Sequence, residues 1–171
     1  MDDRLANLLG ATALAAMDRL RSAVEAELHH GGSGPAALVH LHAHPGESVQ
    51  ALRDVLGISQ PATVRTVDRF AAEGLIERRP GADRRTLALH LTAAGERAAV
   101  GVLARRSESL RALLDVLEPA EQAALAPLLE RLVSALADDR PEALRVCRLC
   151  DRAACTSAAG CPLDHTTRTA P

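Results

Sequence analysis

The residues of this chain best suited to chemistry are its four cysteines, which stand close together as Cys147, Cys150, Cys155 and Cys161 in a C-x2-C-x4-C-x5-C array. Four thiolates on one short stretch can wrap a single soft centre, because tetrahedral zinc and iron–sulfur clusters both take four sulfur ligands from a chain that turns sharply. Ala158, Ala159 and Gly160 permit such a turn before the last cysteine, which Pro162 and Leu163 follow. The chain begins Met1-Asp2-Asp3, without the basic and then apolar layout of a secretory leader, so it is expected in the cytoplasm. Crowded cysteines there hold a metal more often than a structural disulfide. Zinc modules usually pair two C-x2-C knuckles, and one is present here. Histidines add lesser candidates: His40 and His44 share a helix face at i, i+4 spacing, and His165 could replace one cysteine. The stretch around the cysteines has few apolar residues, so coordination is expected to supply the order that packing does not.

A second set of residues suits nucleic acid. Gln60, Thr63, Arg65, Thr66 and Arg69 fall on a segment expected to be the second helix of a helix-turn-helix, where side chains near the helix start meet base edges. Gln can bridge adenine and Arg can fork guanine, each good pair contributing about 1–3 kcal/mol of discrimination. Arg84 and Arg85, at the tip of an expected hairpin, suit the narrow and electronegative minor groove, with Asp83 orienting Arg85.

The elements that must position these groups are legible in the spacing of apolar residues. Leu5, Leu8, Leu9, Ala13, Ala16, Leu20, Val24 and Leu28 mark one long helix, ended by the glycines at 31–34. Ala36 to His44 is a short helix closed by Pro45-Gly46, and Glu47 to Leu56 another, stopped by Gly57. Ser59 then caps a helix from Gln60 to Ala72, with Pro61 in its first turn and Val64, Val67 and Phe70 expected on the buried side. After Gly74 the period shortens to two: strands over 75–79 and 86–91 flank a turn at 80–83 and form a hairpin wing. Thr92 begins a helix through Leu103, Leu110, Leu113 and Leu117, with Glu96 placed for a capping box one residue longer than ideal. A last amphipathic helix covers about Ala120 to Ala137, and Pro141 marks the start of the cysteine tail.

Composition supports a mainly helical fold. Of 171 residues, 47% are hydrophobic, drawn mostly from Ala and Leu, with Phe70 the single aromatic. The net charge of -2 gives no global pull toward DNA, so any nucleic-acid surface must be local, and the stretch from Arg53 to Arg85 is basic on balance. No stretch reaches membrane-spanning length. There is no G-x-S-x-G, phosphate loop or H-E-x-x-H, and no enzyme is expected.

The run GISQPATVRTVDRFAAEGLIERR, followed by ADRRTLALHLTAAG, resembles the MarR family of bacterial transcriptional regulators. In that family the wing carries an Asp-x-Arg pair and closes on Leu-Thr-x-x-Gly, matched here by Asp83, Arg85, Leu91, Thr92 and Gly95. The resemblance implies a homodimer built from the first and last helices, binding double-stranded DNA at a palindromic operator, most simply as a repressor. Two leucine-rich helices at opposite ends of the chain point the same way, since one small head cannot cover them. The ending C-x5-C-P-L is similar to the cluster-binding tail of SoxR-type redox regulators, although the middle spacing here is longer. That likeness implies an iron–sulfur centre, [2Fe–2S] or [4Fe–4S], and a redox- or iron-responsive regulator, with zinc as the alternative. A further alternative is a metal-binding protein whose winged helix contacts another protein. The expected organisation is a dimerisation helix over 1–34, a winged helix-turn-helix over 35–95, C-terminal dimerisation helices over 96–138 and a metal-binding tail over 139–171.

Overall fold

The computed structural model describes residues 3–28, 31–81, 87–157 and 160–167. Helix α1 (Asp3–Leu28) packs along α5 (Ala93–Leu114), and between them in sequence lies the compact head: α2 (Gly34–Ala43), α3 (Val49–Leu56), α4 (Gln60–Ala72) and the strands β1 (Ile76–Pro80) and β2 (Leu87–Leu91). Then follow α6 (Pro119–Ser134), α7 (Arg140–Val146), α8 (Arg152–Thr156) and a closing 3-10 turn at Asp164–Thr167.

Local chemistry sets the ends of the head helices. The Ser48 hydroxyl accepts from Ala51 N at 3.1 Å and caps α3, which stops at Gly57 in the left-handed conformation (φ 64°). Ser59 caps α4 through Ala62 N at 3.4 Å. The apolar faces of these helices close over Leu38, Leu41, Leu52, Val67, Phe70, Ile76 and Leu89. On α4 the buried side runs through Thr63, Val67 and Phe70, and Val64, expected there, is only half-buried.

The wing is an antiparallel pair running from Ile76 opposite Leu91 to Pro80 opposite Leu87. Its second strand is also tied to the loop before α3: Gly46 N donates to Leu89 O at 2.9 Å and Leu89 N to Glu47 O at 2.8 Å. Behind the wing, Thr92 Oγ1 caps α5 by accepting from Gly95 N at 3.1 Å and donates to Gly74 O at 2.6 Å. Glu96 does not close the expected capping box. It reaches across to His42 Nδ1 on α2.

Helix α5 stops at Leu114, short of the expected Leu117, and α6 ends at Ser134. No residue of α6 is buried: Leu128, Leu129 and Leu132 face solvent in the single chain, as do Leu5, Leu8, Leu9 and Leu14 on α1.

The cysteine-bearing segment departs most from expectation. It has a small core of its own, in which Ala137, Ala143 and Leu163 are buried with Val133, Cys147 and Cys161 packed on them. Asp139 caps α7 by accepting from Glu142 N at 2.8 Å, and Asp151 caps α8 through Ala154 N at 3.0 Å. Helix α7 lies against α3, and Leu149 packs against both the head core and the cluster of Val24, Val39 and Val102 that joins α1, α2 and α5. Capping aspartates and a few well-placed apolar side chains therefore give this segment helices and docking that its composition alone did not suggest.

Candidate functional site

The first candidate surface is the outer face of α4. With Thr63, Val67 and Phe70 committed inward, Arg65 and Arg69 project from the opposite side of the helix and Gln60 is exposed at its first turn. Gln60 and Arg65 stand exposed at the helix start and middle, where a helix inserted in a groove presents its side chains. Arg69 sits differently: its guanidinium lies 5.1 Å from the centre of the Phe70 ring and folds back toward Gly34. Thr66 is half-buried, its hydroxyl donating to Ala62 O at 3.0 Å.

Thr63 leaves the set of contact residues. It is fully buried and its hydroxyl donates to Ser59 O at 3.1 Å, so the side chain is part of the packing under the helix start and cannot reach a base. Asp83, Arg84 and Arg85 lie outside the described residues. At the base of the wing, Arg78 of β1 pairs with Asp68 of α4, which fixes the hairpin against the outward face of that helix.

The second candidate site is the cysteine array. None of the four cysteines is in a disulfide. Polar contact with Cys150 draws the Cys147 thiol below the usual range. The same contact, and then burial, hold Cys150 well above it, and burial raises Cys155. All four cysteines line one cavity of about 60 Å³, together with His40, His44, Arg140 and Arg152. Among the described residues no three or more His, Cys, Asp or Glu side chains converge as a single metal ion would require.

The sequence placed His40 and His44 on one helix face, and the structure brings that face to the cysteines. Their rings are 4.7 Å apart. His40 is 5% exposed, and burial, with His44 and Arg140 nearby, pushes its pKa down to about 4, so the ring is neutral near pH 7. Its Nε2 is buried without a hydrogen-bond partner; the Glu47 carboxylate is 3.8 Å away, too long for a bond, and a neutral ring forms no ion pair with it. His165 is occupied elsewhere, its Nδ1 lying 3.2 Å from Pro162 O and its Nε2 3.1 Å from Ala137 O. Sequence reasoning did not link the buried His40 to the cysteines, because the two lie about a hundred residues apart and no periodic pattern joins them; Arg140 and Arg152 stand beside the cysteines in sequence and were passed over as ordinary surface charges.

A helix, tight turn and second helix followed by a two-stranded hairpin, carried between long helices, make this a winged helix-turn-helix fold. Residues 35–86 match the family model described as MarR family. Among solved structures, the chain is similar to RV1404 from Mycobacterium tuberculosis (24% identity, 81% of this chain and 96% of that one, TM-score 0.70). It is also similar to apo wild-type MarR from E. coli (22% identity, 75% and 96%, TM-score 0.62). A third is MepR, a transcription regulator of the Staphylococcus aureus multidrug efflux pump MepA (18% identity, 77% and 98%, TM-score 0.67). No curated protein matches the chain in sequence. No helix among the described residues is long and apolar enough to cross a membrane.

Proposed function

We propose that this chain is a MarR-type regulator of transcription, not an enzyme, which binds double-stranded DNA as a homodimer. The observation that carries the reading is the division of α4: Thr63, Val67 and Phe70 seal one side into the head, and Gln60, Arg65 and Arg69 are left outward beside the wing. Exposed leucines on α1 and α6 support pairing of two chains, because together they form far more bare apolar surface than a monomer usually presents. A twofold pair of heads would meet grooves about 34–36 Å apart and read a palindromic operator. Repression is the simplest outcome of such occupancy.

The cysteine array is the proposed sensor. The donor set fits a sulfur-ligated centre in kind, and Arg140 and Arg152 on the same cavity would offset the negative charge of four thiolates. Cys147, Cys150, Cys155 and Cys161 would hold it. An iron–sulfur cluster is the centre read here for these four thiolates, with zinc as the alternative. Such a cluster supplies one-electron redox chemistry.

Selection of binders from a random duplex pool, followed by titration of the best sequence at several salt concentrations, tests the DNA reading. A palindromic consensus is expected, with affinity falling steeply as salt rises, by a slope of about 0.9 for each phosphate neutralised. Sedimentation should give a dimer. A monomer that enriches no sequence would overturn the proposal and favour a head that contacts protein.

A further inference from the structure

The buried His40 ring stands with one nitrogen unused. Leaving a buried polar group without a partner costs about 1–3 kcal/mol, and native interiors seldom keep one without a reason. Here Nε2 has no hydrogen-bond partner among the described residues, the Glu47 carboxylate stands 3.8 Å away, and the ring lines a cavity that Cys147, Cys150, Cys155 and Cys161 line as well. The position is enforced. His40 lies on α2 among Ala37, Leu38, Val39 and Leu41, all buried, so the helix cannot rotate to give the ring to solvent without opening the head. His44, one turn on, lies tilted against it with ring centres 4.7 Å apart and lines the same cavity.

We propose that His40 is the positioning residue of the sulfur centre: its Nε2–H donates a hydrogen bond from α2 to the sulfurs of a centre held by the four cysteines. The proposal rests on the cysteine reading above and adds to it a donor on the head itself. Thiolate and sulfide are acceptors only, so their negative charge selects the tautomer with hydrogen on Nε2. Hydrogen bonds to ligating sulfur stabilise the more negative state of a redox centre and slow its loss. The same contact fastens the tail to a helix that packs directly on α3 and β2, so the centre and the DNA-reading head share a residue.

The test uses the full chain purified without oxygen and reconstituted with ferrous iron and sulfide, and in parallel with zinc. His40→Leu and His40→Phe remove the donor, and His40→Gln keeps an N–H. The donor-less variants should bind the centre on the order of 10- to 100-fold less tightly against a chelator. In an iron–sulfur form they should also show a lower reduction potential, with His40→Gln restoring both properties toward the unaltered protein. Without metal, His40→Leu should melt no lower than the unaltered chain, because it removes an unpaired buried nitrogen. If His40→Leu unfolds, His40→Phe and His40→Gln carry the comparison. Equal chelator release and equal potential in all variants would overturn the role of His40 and leave the cysteine centre standing. Failure of the unaltered chain to take up either iron–sulfur or zinc would overturn the cysteine reading, and this proposal with it.

Discussion

A side chain on Gly95 would place its Cβ 2.0 Å from the carbonyl oxygen of Leu75, so the first turn of α5 rests directly on the backbone at the foot of the wing. Thr92 holds the turn there, receiving Gly95 N and giving its own hydroxyl to Gly74 O. Gly95→Ala must push two backbone segments apart and is expected to destabilise the fold by about 3 kcal/mol, the scale of overpacking in a well-filled core. Thr92→Ala, which loses a cap, should cost about 1 kcal/mol. Denaturant titration of both variants checks the order.

On α4 the structure separates residues that sequence reasoning had grouped. Arg65→Ala and Gln60→Ala should each weaken binding to the selected duplex by about 1–3 kcal/mol with little change in melting temperature. Thr63→Val should do the reverse: unchanged affinity per folded molecule, and a loss of about 1 kcal/mol in stability from the missing bond to Ser59. Parallel fluorescence binding and thermal melts distinguish the two outcomes.

His40 gives the metal-free chain an acid-side weakness. Its pKa is near 6.5 unfolded and about 4 folded. Below pH 6.5 the unfolded chain therefore takes up a proton that the folded one refuses, and stability falls as pH drops from 6.5 toward 4. The full loss is about 3 kcal/mol, from 1.36 kcal/mol per pKa unit. The unfolding free energy of the chain minus that of His40→Leu, measured from pH 7.5 to 4, should become more negative by that amount, so that the stability advantage of the variant widens in acid.

Much of the head was legible because its signals are local. Gly57, Ser59 and Pro61 punctuate the helix-turn-helix where residue type demands it, and the alternation after Gly74 marks the hairpin. Val64 and Thr63 exchanged roles because both lie near the edge of the buried stripe, and hydropathy favours valine over a threonine that can satisfy its hydroxyl on the preceding turn. The chemistry of the tail was readable from four cysteines; its docking was not. Contacts such as α7 with α3, or His40 with the sulfur cavity, join residues far apart in sequence and leave no periodic trace.

Leu149, between Cys147 and Cys150, is the apolar residue that ties the tail inward. Leu149→Ser should destabilise the whole chain by about 2 kcal/mol through lost burial, even with the cysteines intact. A single cooperative melt shifted downward is expected. A separate early transition, with the head unaffected, would show the tail to be energetically detached.

The backbone stitch between Glu47 and Leu89 has a mechanical consequence. Because β2 is bonded to the loop ahead of α3 as well as to β1, tilting the described strand pair pulls on the turn that leads into α3 and, through their packing, on α4. A load on the foot of the hairpin is thereby shared with both head helices. If two chains pair on a duplex as proposed above, changing the angle between their heads would alter the grip while leaving these bonds intact.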